Sequence, residues 1–223
     1  MKKKLCIGLI FAIIVQVSLV FSVFSESNVD SFTFSETDNE AIVTGCLISE
    51  GEIVIPSEYH GKPVTGIGDY AFYYNGATNI TIPDSVTAIG ECAFWRCYNL
   101  ETVTLSQRLE TIGTGAFCDC AKLEELSLPK TLKSIDEGFL TGCSSLKAVN
   151  ADVESESFSS VDGILFSGDG KTLYVYPYGR AGASYTVPQE TERLGDFAFF
   201  GAAVETVYIS PMTKFEKTAF LKR

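Results

Sequence analysis

Apolar residues recur along the chain in two blocks with a period of about 23 residues. The first block has the form Ile-Gly-x-x-Ala-Phe, and the second has the form Leu-x-x-Val-x-Leu, as in Leu100–Leu105. Full or weaker copies of the first block begin at Ile67, Ile89, Ile112, Ile135, Leu194 and Phe215. Because many positions share one period, the pattern predicts a repeat array.

Each repeat predicts one short strand and one tight turn. The alternation in Leu100–Leu105 is typical of a strand with one buried face. The Ile-Gly block predicts a turn into a short helical or 3₁₀ segment that places the Phe in the interior. One such coil cannot bury its own apolar face, so neighbouring coils must stack their strands in parallel over a continuous core. The sequence therefore predicts a β-rich α/β solenoid with coils of about 23 residues.

Three segments depart from the repeat. In residues 26–55, the apolar runs Ser31–Phe34 and Ala41–Leu47 flank a polar turn, which predicts an N-terminal β-hairpin cap. Regular coils are expected over residues 56–150, and an irregular coil with a hairpin turn at Ser167–Lys171 over residues 151–193. The final coils, residues 194–223, end shortly after Phe220 without a polar cap, so this end is a candidate for self-association.

Residues 1–25 have the pattern of an export signal. Met1–Lys4 carries three lysines, and Leu5–Phe24 contains no charged residue. This pattern predicts a secretory signal peptide. The apolar stretch is also long enough to cross a bilayer, so an uncleaved membrane anchor stays open. In either case we expect the body of the protein to be exported to the periplasm, the outer envelope, or the cell surface and beyond.

The amino-acid composition argues against several classes of function. The chain has 17 basic and 28 acidic residues and a net charge of −11, which argues against a nucleic-acid partner because phosphate binding needs clustered Lys and Arg. His60 is the single histidine, so neither a histidine-rich metal site nor a histidine-based catalytic arrangement is expected. Neighbouring acids such as Glu124 and Glu125 would point to opposite faces of a strand. We therefore predict no enzyme, no catalytic or metal-binding residue and no cofactor.

Six of the seven cysteines lie outside the predicted signal. Cys97, Cys120 and Cys143 recur at one position of the repeat, which predicts a stack of buried thiols inside the solenoid. A single disulfide between adjacent coils stays open. The other three are Cys46, Cys92 and Cys118, and none has an evident partner in the repeat.

The repeat resembles the BspA-like class of leucine-rich repeats found in bacterial surface and exported proteins of the treponemal or Bacteroides type. The residues that carry the resemblance are Ile82-Pro83, Ile89-Gly90, Ala93-Phe94, Cys97, Leu100, Val103 and Leu105, with their equivalents in the next coil. It covers roughly residues 31–220, and departs from the family pattern where Asp136 and Phe139 replace Gly and Ala. The resemblance implies a leucine-rich-repeat solenoid that binds proteins such as extracellular-matrix or host-surface proteins.

Two surfaces are candidate binding sites. The first is the outward side of the strands, for which the candidates are Thr81, Thr102, Thr104, Glu125, Ser127, Asn150 and Tyr208. The second is an aromatic group near the turns, with the candidates Tyr70, Tyr73, Tyr74, Trp95 and Tyr98. Such aromatic residues are enriched at interfaces. The alternative is structural, since Thr and Ser suit any exposed sheet and some aromatic rings must pack between coils.

The function predicted from these features is protein binding, most directly as a surface adhesin with a host, matrix or other protein ligand. An alternative is a structural or assembly module of the periplasm or envelope that binds another bacterial protein. A weaker alternative is a carbohydrate-binding module that uses the aromatic group.

Overall fold

The computed structural model describes residues 28–221, so the predicted signal peptide lies outside the described residues. Within that range no helix combines the length and the apolar character needed to cross a membrane. In chain order the strands are β1 (Phe32–Glu36), β2 (Ala41–Cys46), β3 (Glu50–Val54), β4 (Glu58–Tyr59), β5 (Lys62–Ile67), β6 (Gly76–Thr81), β7 (Ala88–Ile89), β8 (Thr102–Thr104), β9 (Thr111–Ile112), β10 (Glu125–Leu128), β11 (Ser134–Ile135), β12 (Ala148–Ala151), β13 (Phe158–Val161), β14 (Ile164–Ser167), β15 (Thr172–Val175), β16 (Ser184–Thr186), β17 (Arg193–Leu194) and β18 (Thr206–Tyr208).

The predicted solenoid is confirmed, with about seven turns and coils of about 23 residues. It carries two parallel ladders, whereas the sequence predicted one strand per coil. The predicted ladder contains β3, β6 and β8, followed by β10 and β12. The second ladder runs through β5, β7, β9 and β11 at the Ile-Gly blocks. Except for β5, these strands are only two residues long, which is too short to give an alternating pattern of apolar and polar residues.

Turns replace most of the expected helical segments. Only two 3₁₀ helices occur in residues 28–221, Val29–Ser31 and Lys217–Phe220. The turns still place the repeated Phe inside, where Phe72, Phe94 and Phe117 stack with ring centroids 5.0 Å apart. Backbone groups of successive turns bond to each other, as in Phe94 N to Ala116 O at 2.7 Å. Each turn is thus fixed by the next coil.

The predicted cap is present as an antiparallel hairpin of β1 and β2. Because β2 also pairs in parallel with β5, the hairpin extends the second ladder. Phe32 of β1 is buried and meets Phe72 edge to face at a centroid distance of 6.5 Å. The hairpin therefore covers the apolar interior of the first regular coil.

The irregular coil contains an antiparallel meander of β13, β14 and β15, with the predicted turn between β14 and β15. Strand β15 then pairs in parallel with β17 and rejoins the solenoid. Successive strand residues face opposite sides. In β14, Leu165 packs into the core of the preceding coils, while Ile164 and Phe166 pack into the core of the final coils. The apolar core thus consists of two clusters, one on each side of β14.

The predicted thiol stack is confirmed. Cys97, Cys120 and Cys143 are fully buried, and each Sγ–H donates to a carbonyl of the preceding coil. The Sγ to O distances are 3.1, 3.3 and 3.1 Å. All six cysteines in residues 28–221 are free thiols, so the disulfide left open by the sequence is not formed here.

Candidate functional site

The outward side of the first ladder forms an exposed polar strand face. Strand register places Asn79 beside Thr102 and Thr81 beside Thr104. In the following coils Ser127 lies beside Asn150. Most of these side chains are exposed, and none of Thr81, Thr102 and Thr104 makes a side-chain hydrogen bond that holds the fold among the described residues. The members brought together are Thr81, Thr102, Thr104, Glu125, Ser127 and Asn150.

Tyr208, the seventh predicted member, lies elsewhere. It belongs to β18, which pairs only with β16 among the described strands. The turn of the β13–β14 hairpin occupies the position beyond β12, where Val149 N donates to Gly163 O at 2.8 Å. The inserted hairpin therefore separates Tyr208, which was predicted on the same outward strand surface, from the other six candidates.

A shallow depression of about 480 Å³ lies on the strand face. Two predicted residues, Thr102 and Glu125, contribute to it. Its other members were not predicted from the sequence, and they are Glu101, Lys122, Glu124 and Ser145. Ion pairs between coils border it, Lys122 with Glu101 at 3.6 Å and Lys147 with Glu124 at 2.7 Å. Glu101, Glu124 and Lys147 follow one another at the period of the repeat, so the repeat itself contained the signal for this charged row.

The five predicted aromatic residues come together as one aromatic patch, defined as Tyr70, Tyr73, Tyr74, Trp95 and Tyr98. Their ring centroids form a connected chain. Tyr70 and Tyr73 each contact Trp95, at 6.4 and 5.1 Å, and Tyr73 contacts Tyr74 at 6.0 Å. Tyr74 meets Tyr98 at 5.5 Å with nearly perpendicular planes. Tyr74 is 62% exposed, and the other three tyrosines are also exposed, so the patch faces solvent.

Two charged residues that the sequence analysis missed lie against the patch. The Arg96 guanidinium lies 4.7 Å from the Trp95 ring centroid, within cation–π distance. The Asp119 carboxylate accepts a long hydrogen bond from Trp95 Nε1 at 3.4 Å and lies 3.8 Å from Arg96 Nε. Interaction with Tyr98 is the largest cause that raises the pKa of Arg96, which therefore stays charged. The repeat pattern did not predict this pair, because the neighbouring coils have no Arg at the position of Arg96 and no Asp at the position of Asp119.

The patch lies at backbone corners that favour glycine. Tyr70 and Tyr74 have φ of 56° and 59°, in the left-handed region. Several corners of later coils hold glycines with positive φ, namely Gly115, Gly138, Gly142 and Gly201. A non-glycine residue in this region costs roughly 1–2 kcal/mol. The early coils thus place exposed tyrosines where glycine would be less strained.

No group of three His, Cys, Asp or Glu side chains in residues 28–221 is placed to hold a metal ion. His60 is exposed, stacks on Tyr59 at a centroid distance of 3.9 Å and lies 3.7 Å from Glu36. Lys62 is the principal cause that lowers the pKa of the Glu36 carboxyl, with a smaller contribution from His60. This cluster ties the cap to the first coil.

Comparison with known proteins identifies the repeat. A family model described as "BspA type Leucine rich repeat region" matches residues 65–170 in six copies. A solved leucine-rich repeat protein from Bacteroides capillosus is 31% identical, with 97% of that chain and 56% of this one covered and a TM-score of 0.51. The chain belongs to the BspA-type leucine-rich repeat family. The members of this family are bacterial leucine-rich repeat proteins of non-enzymatic type, typically exported or on the surface.

Two further solved structures share the BspA-type fold. The pneumococcal vaccine antigen PcpA is 22% identical, with a TM-score of 0.69 over 87% of this chain and 66% of that one. A leucine-rich repeat protein from Eubacterium ventriosum is 17% identical, with a TM-score of 0.58 over 85% of this chain and 60% of that one. The chain thus spans 66% of the length of the first and 60% of the length of the second. No curated protein matches the sequence significantly.

Proposed function

We propose that this chain is an exported protein-binding module that acts as a surface adhesin, with the strand face as its main binding surface. The observation that carries the proposal is the row of exposed polar side chains of Thr81, Thr102, Thr104 and Ser127, since the coils are held together there by backbone pairing. A solenoid presents such a ladder as a rigid, extended surface, which is how repeat proteins commonly bind partners.

The charged row on the same face supports a protein ligand. Glu101, Glu124 and Lys147 are each more than half exposed, and their ion pairs lie at the surface, where such a pair contributes about 0–1 kcal/mol to stability. These charges are therefore available to exchange their partners for groups of a ligand. Complementary charges across an interface mainly set specificity and association rate.

Binding of the purified full-length chain to a panel of matrix and host-surface proteins tests the strand face. Thr104→Arg adds a bulky charge at an exposed strand-face position, and Thr111→Arg makes the same change at an exposed position of the second ladder. We expect Thr104→Arg to weaken binding about tenfold, or about 1.4 kcal/mol, and Thr111→Arg to leave it unchanged. Equal effects of both variants, or no binding to any panel member, would count against the proposal.

An envelope assembly role is the alternative, because the same strand face suits a bacterial protein ligand. Protease shaving of intact cells separates the two, with a periplasmic protein as the internal control and sequencing of the mature N-terminus alongside. Degradation of the chain while the control stays intact supports adhesion. Protection of both assigns the chain to the interior of the envelope and overturns the adhesin role.

Carbohydrate binding by the aromatic patch has less support. Stacking on a sugar needs an open ring face, but the Trp95 ring carries the Arg96 guanidinium at 4.7 Å and contacts Tyr73. Self-association through the final coil stays a prediction. Met212 and Phe215 of that coil are exposed, and size-exclusion chromatography with light scattering tests whether they mediate a dimer.

A further inference from the structure

The surroundings of the aromatic patch carry unpaired negative charge. Tyr70 Oη donates to Glu91 Oε1 at 3.5 Å, and Glu91 N donates to Asp69 Oδ1 at 2.7 Å. Both carboxylates are exposed, and no Lys, Arg or His among residues 28–221 lies within ion-pair distance of them. Arg96 and Asp119 compensate each other. Two negative charges beside the rings therefore remain available to a cation.

The pKa of the Cys92 thiol reflects the same negative charges. Burial is the largest cause that raises its pKa, and the charges of Glu91 and Asp69 raise it further. The pKa of Tyr70 is also raised, mainly through Cys92 and then through Glu91. The charges of Glu91 and Asp69 thus add to burial in disfavouring an anion at this place, in agreement with the exposed carboxylates described above.

The patch already binds a cation from its own chain. Arg96 lies over Trp95 and also interacts with the Tyr73 side chain, while the exposed rings of Tyr70 and Tyr74 carry no Lys or Arg within cation–π distance among the described residues. Aromatic faces attract ammonium and guanidinium groups, by about 0.5–1 kcal/mol at exposed sites. A ring cluster with adjoining carboxylates offers both halves of a site for Lys and Arg side chains.

We propose that the aromatic patch is a second binding surface that takes the Lys or Arg side chains of an extended basic segment of a partner protein. Cationic groups of the partner lie on the exposed rings of Tyr70 and Tyr74, and those beside Tyr70 pair with Glu91 and Asp69. This surface lies on the turns and is separate from the strand face, so it does not depend on the function proposed above.

The lone tryptophan of the chain makes the proposal measurable. Trp95 lies in the patch, so its fluorescence reports binding there. The full-length protein is titrated with an oligolysine peptide, with a Gly-Ser peptide of equal length, and with a neutral oligosaccharide. We expect the oligolysine peptide alone to change the Trp95 emission, with an affinity that falls as salt is added.

Matched variants separate the patch from the general acidity of the chain. Tyr74→Gly removes an exposed ring at a corner that glycine accepts, and Tyr208→Thr removes a similarly exposed ring from β18. Glu91→Gln and Glu190→Gln remove the same charge inside and outside the patch. We expect Tyr74→Gly and Glu91→Gln each to weaken oligolysine binding about two- to fivefold, and the two controls to leave it unchanged.

Three outcomes would overturn this proposal. One is equal weakening by Glu91→Gln and Glu190→Gln, which assigns binding to net charge. Another is equal binding by Tyr74→Gly and Tyr208→Thr, with folding of both checked by circular dichroism. The third is a response to the oligosaccharide but not to oligolysine, which assigns the patch to carbohydrate. Thr104→Arg should not affect any of these titrations, so failure here is distinct from failure of the strand-face proposal.

Discussion

The replacement Gly142→Ala tests whether the corner glycines are required by their surroundings. Gly142 has φ of +79°, and an added Cβ would lie 2.2 Å from Asp119 Oδ1 and 3.2 Å from its Cγ. The left-handed conformation costs alanine roughly 1–2 kcal/mol. Relieving the overlap displaces the buried Asp119 or the backbone, which adds about 1–3 kcal/mol. We therefore expect a loss of about 2–5 kcal/mol in the free energy of unfolding.

Gly170→Ala is the matched control. Gly170 has φ of +72° in the β14–β15 turn, and an added Cβ meets no atom within 4 Å. This variant carries the backbone cost of roughly 1–2 kcal/mol without the overlap. The difference between the two variants therefore measures the contact with Asp119. It also has a local signature, because Asp119 accepts from Trp95 Nε1, and only Gly142→Ala should shift the native emission of Trp95.

Urea denaturation followed by circular dichroism and by Trp95 emission measures both effects in one experiment. Equal stabilities of Gly142→Ala and Gly170→Ala would refute the argument from the Asp119 overlap. An unchanged native emission in a destabilised Gly142→Ala would refute the proposed link between this corner and the aromatic patch. A change in the slope of the denaturation curve would indicate a loss of two-state behaviour instead.

Three further predictions follow from the core. Phe94→Ala empties the middle of the Phe72–Phe94–Phe117 stack and should lower the free energy of unfolding by about 3–5 kcal/mol, as measured by denaturation. We expect a smaller loss for Phe220→Ala, because Phe220 is the partly exposed end of the separate Phe199–Phe220 stack in the final coils. Burial raises the pKa of the Cys120 thiol well above its usual range, so a thiol reagent should label native Cys120 far more slowly than the half-buried Cys46, as mass spectrometry of the labelled peptides checks. Burial also raises the pKa of Tyr185 to about 12 from its usual value of 10.0. The unfolded chain therefore loses this proton at lower pH than the folded chain, and stability should fall as the pH rises from 10 towards 12. Tyr185→Phe should reduce that fall, as alkaline denaturation measures.

The sequence predicted the features that every coil must repeat. Each coil needs one apolar side chain at the same place to cover its neighbour, so Phe94, Leu100 and Cys97 recur with the period and their burial follows from it. The cap and the β14–β15 turn were also predictable. They interrupt the period with short apolar runs around polar turns, which is the local pattern of a hairpin.

Other features could not be predicted from the repeat pattern. The strands of the second ladder beyond β5 each end in the Ile that begins a full or weaker copy of the Ile-Gly block, but they are only two residues long and show no alternation that would predict a strand. The position of the Asp162–Gly163 turn against β12 depends on tertiary packing, so the break in the strand face could not be derived from spacing. The left-handed corners could not be predicted in the early coils, because Tyr70, Tyr74 and Arg96 occupy corners of the kind that Gly138 and Gly142 occupy in a later coil.

The same corners connect the stability of the solenoid with its candidate recognition surface. In a repeat array, stability is approximately the sum of the coils and of their interfaces, so a cost at one corner is carried by the interfaces beside it. The coils that hold Tyr70, Tyr74 and Arg96 stack through Phe72, Phe94 and Phe117, among the largest fully buried side chains described. These coils can therefore carry non-glycine corners at roughly 1–2 kcal/mol each without losing the fold. Left-handed corners also include the less exposed Cys92 and Asp119, whereas Tyr70 and Tyr74 present exposed rings where later corners hold Gly138 and Gly142. The side chains of these two tyrosine corners are therefore better explained by what they present to solvent than by what they contribute to the coil.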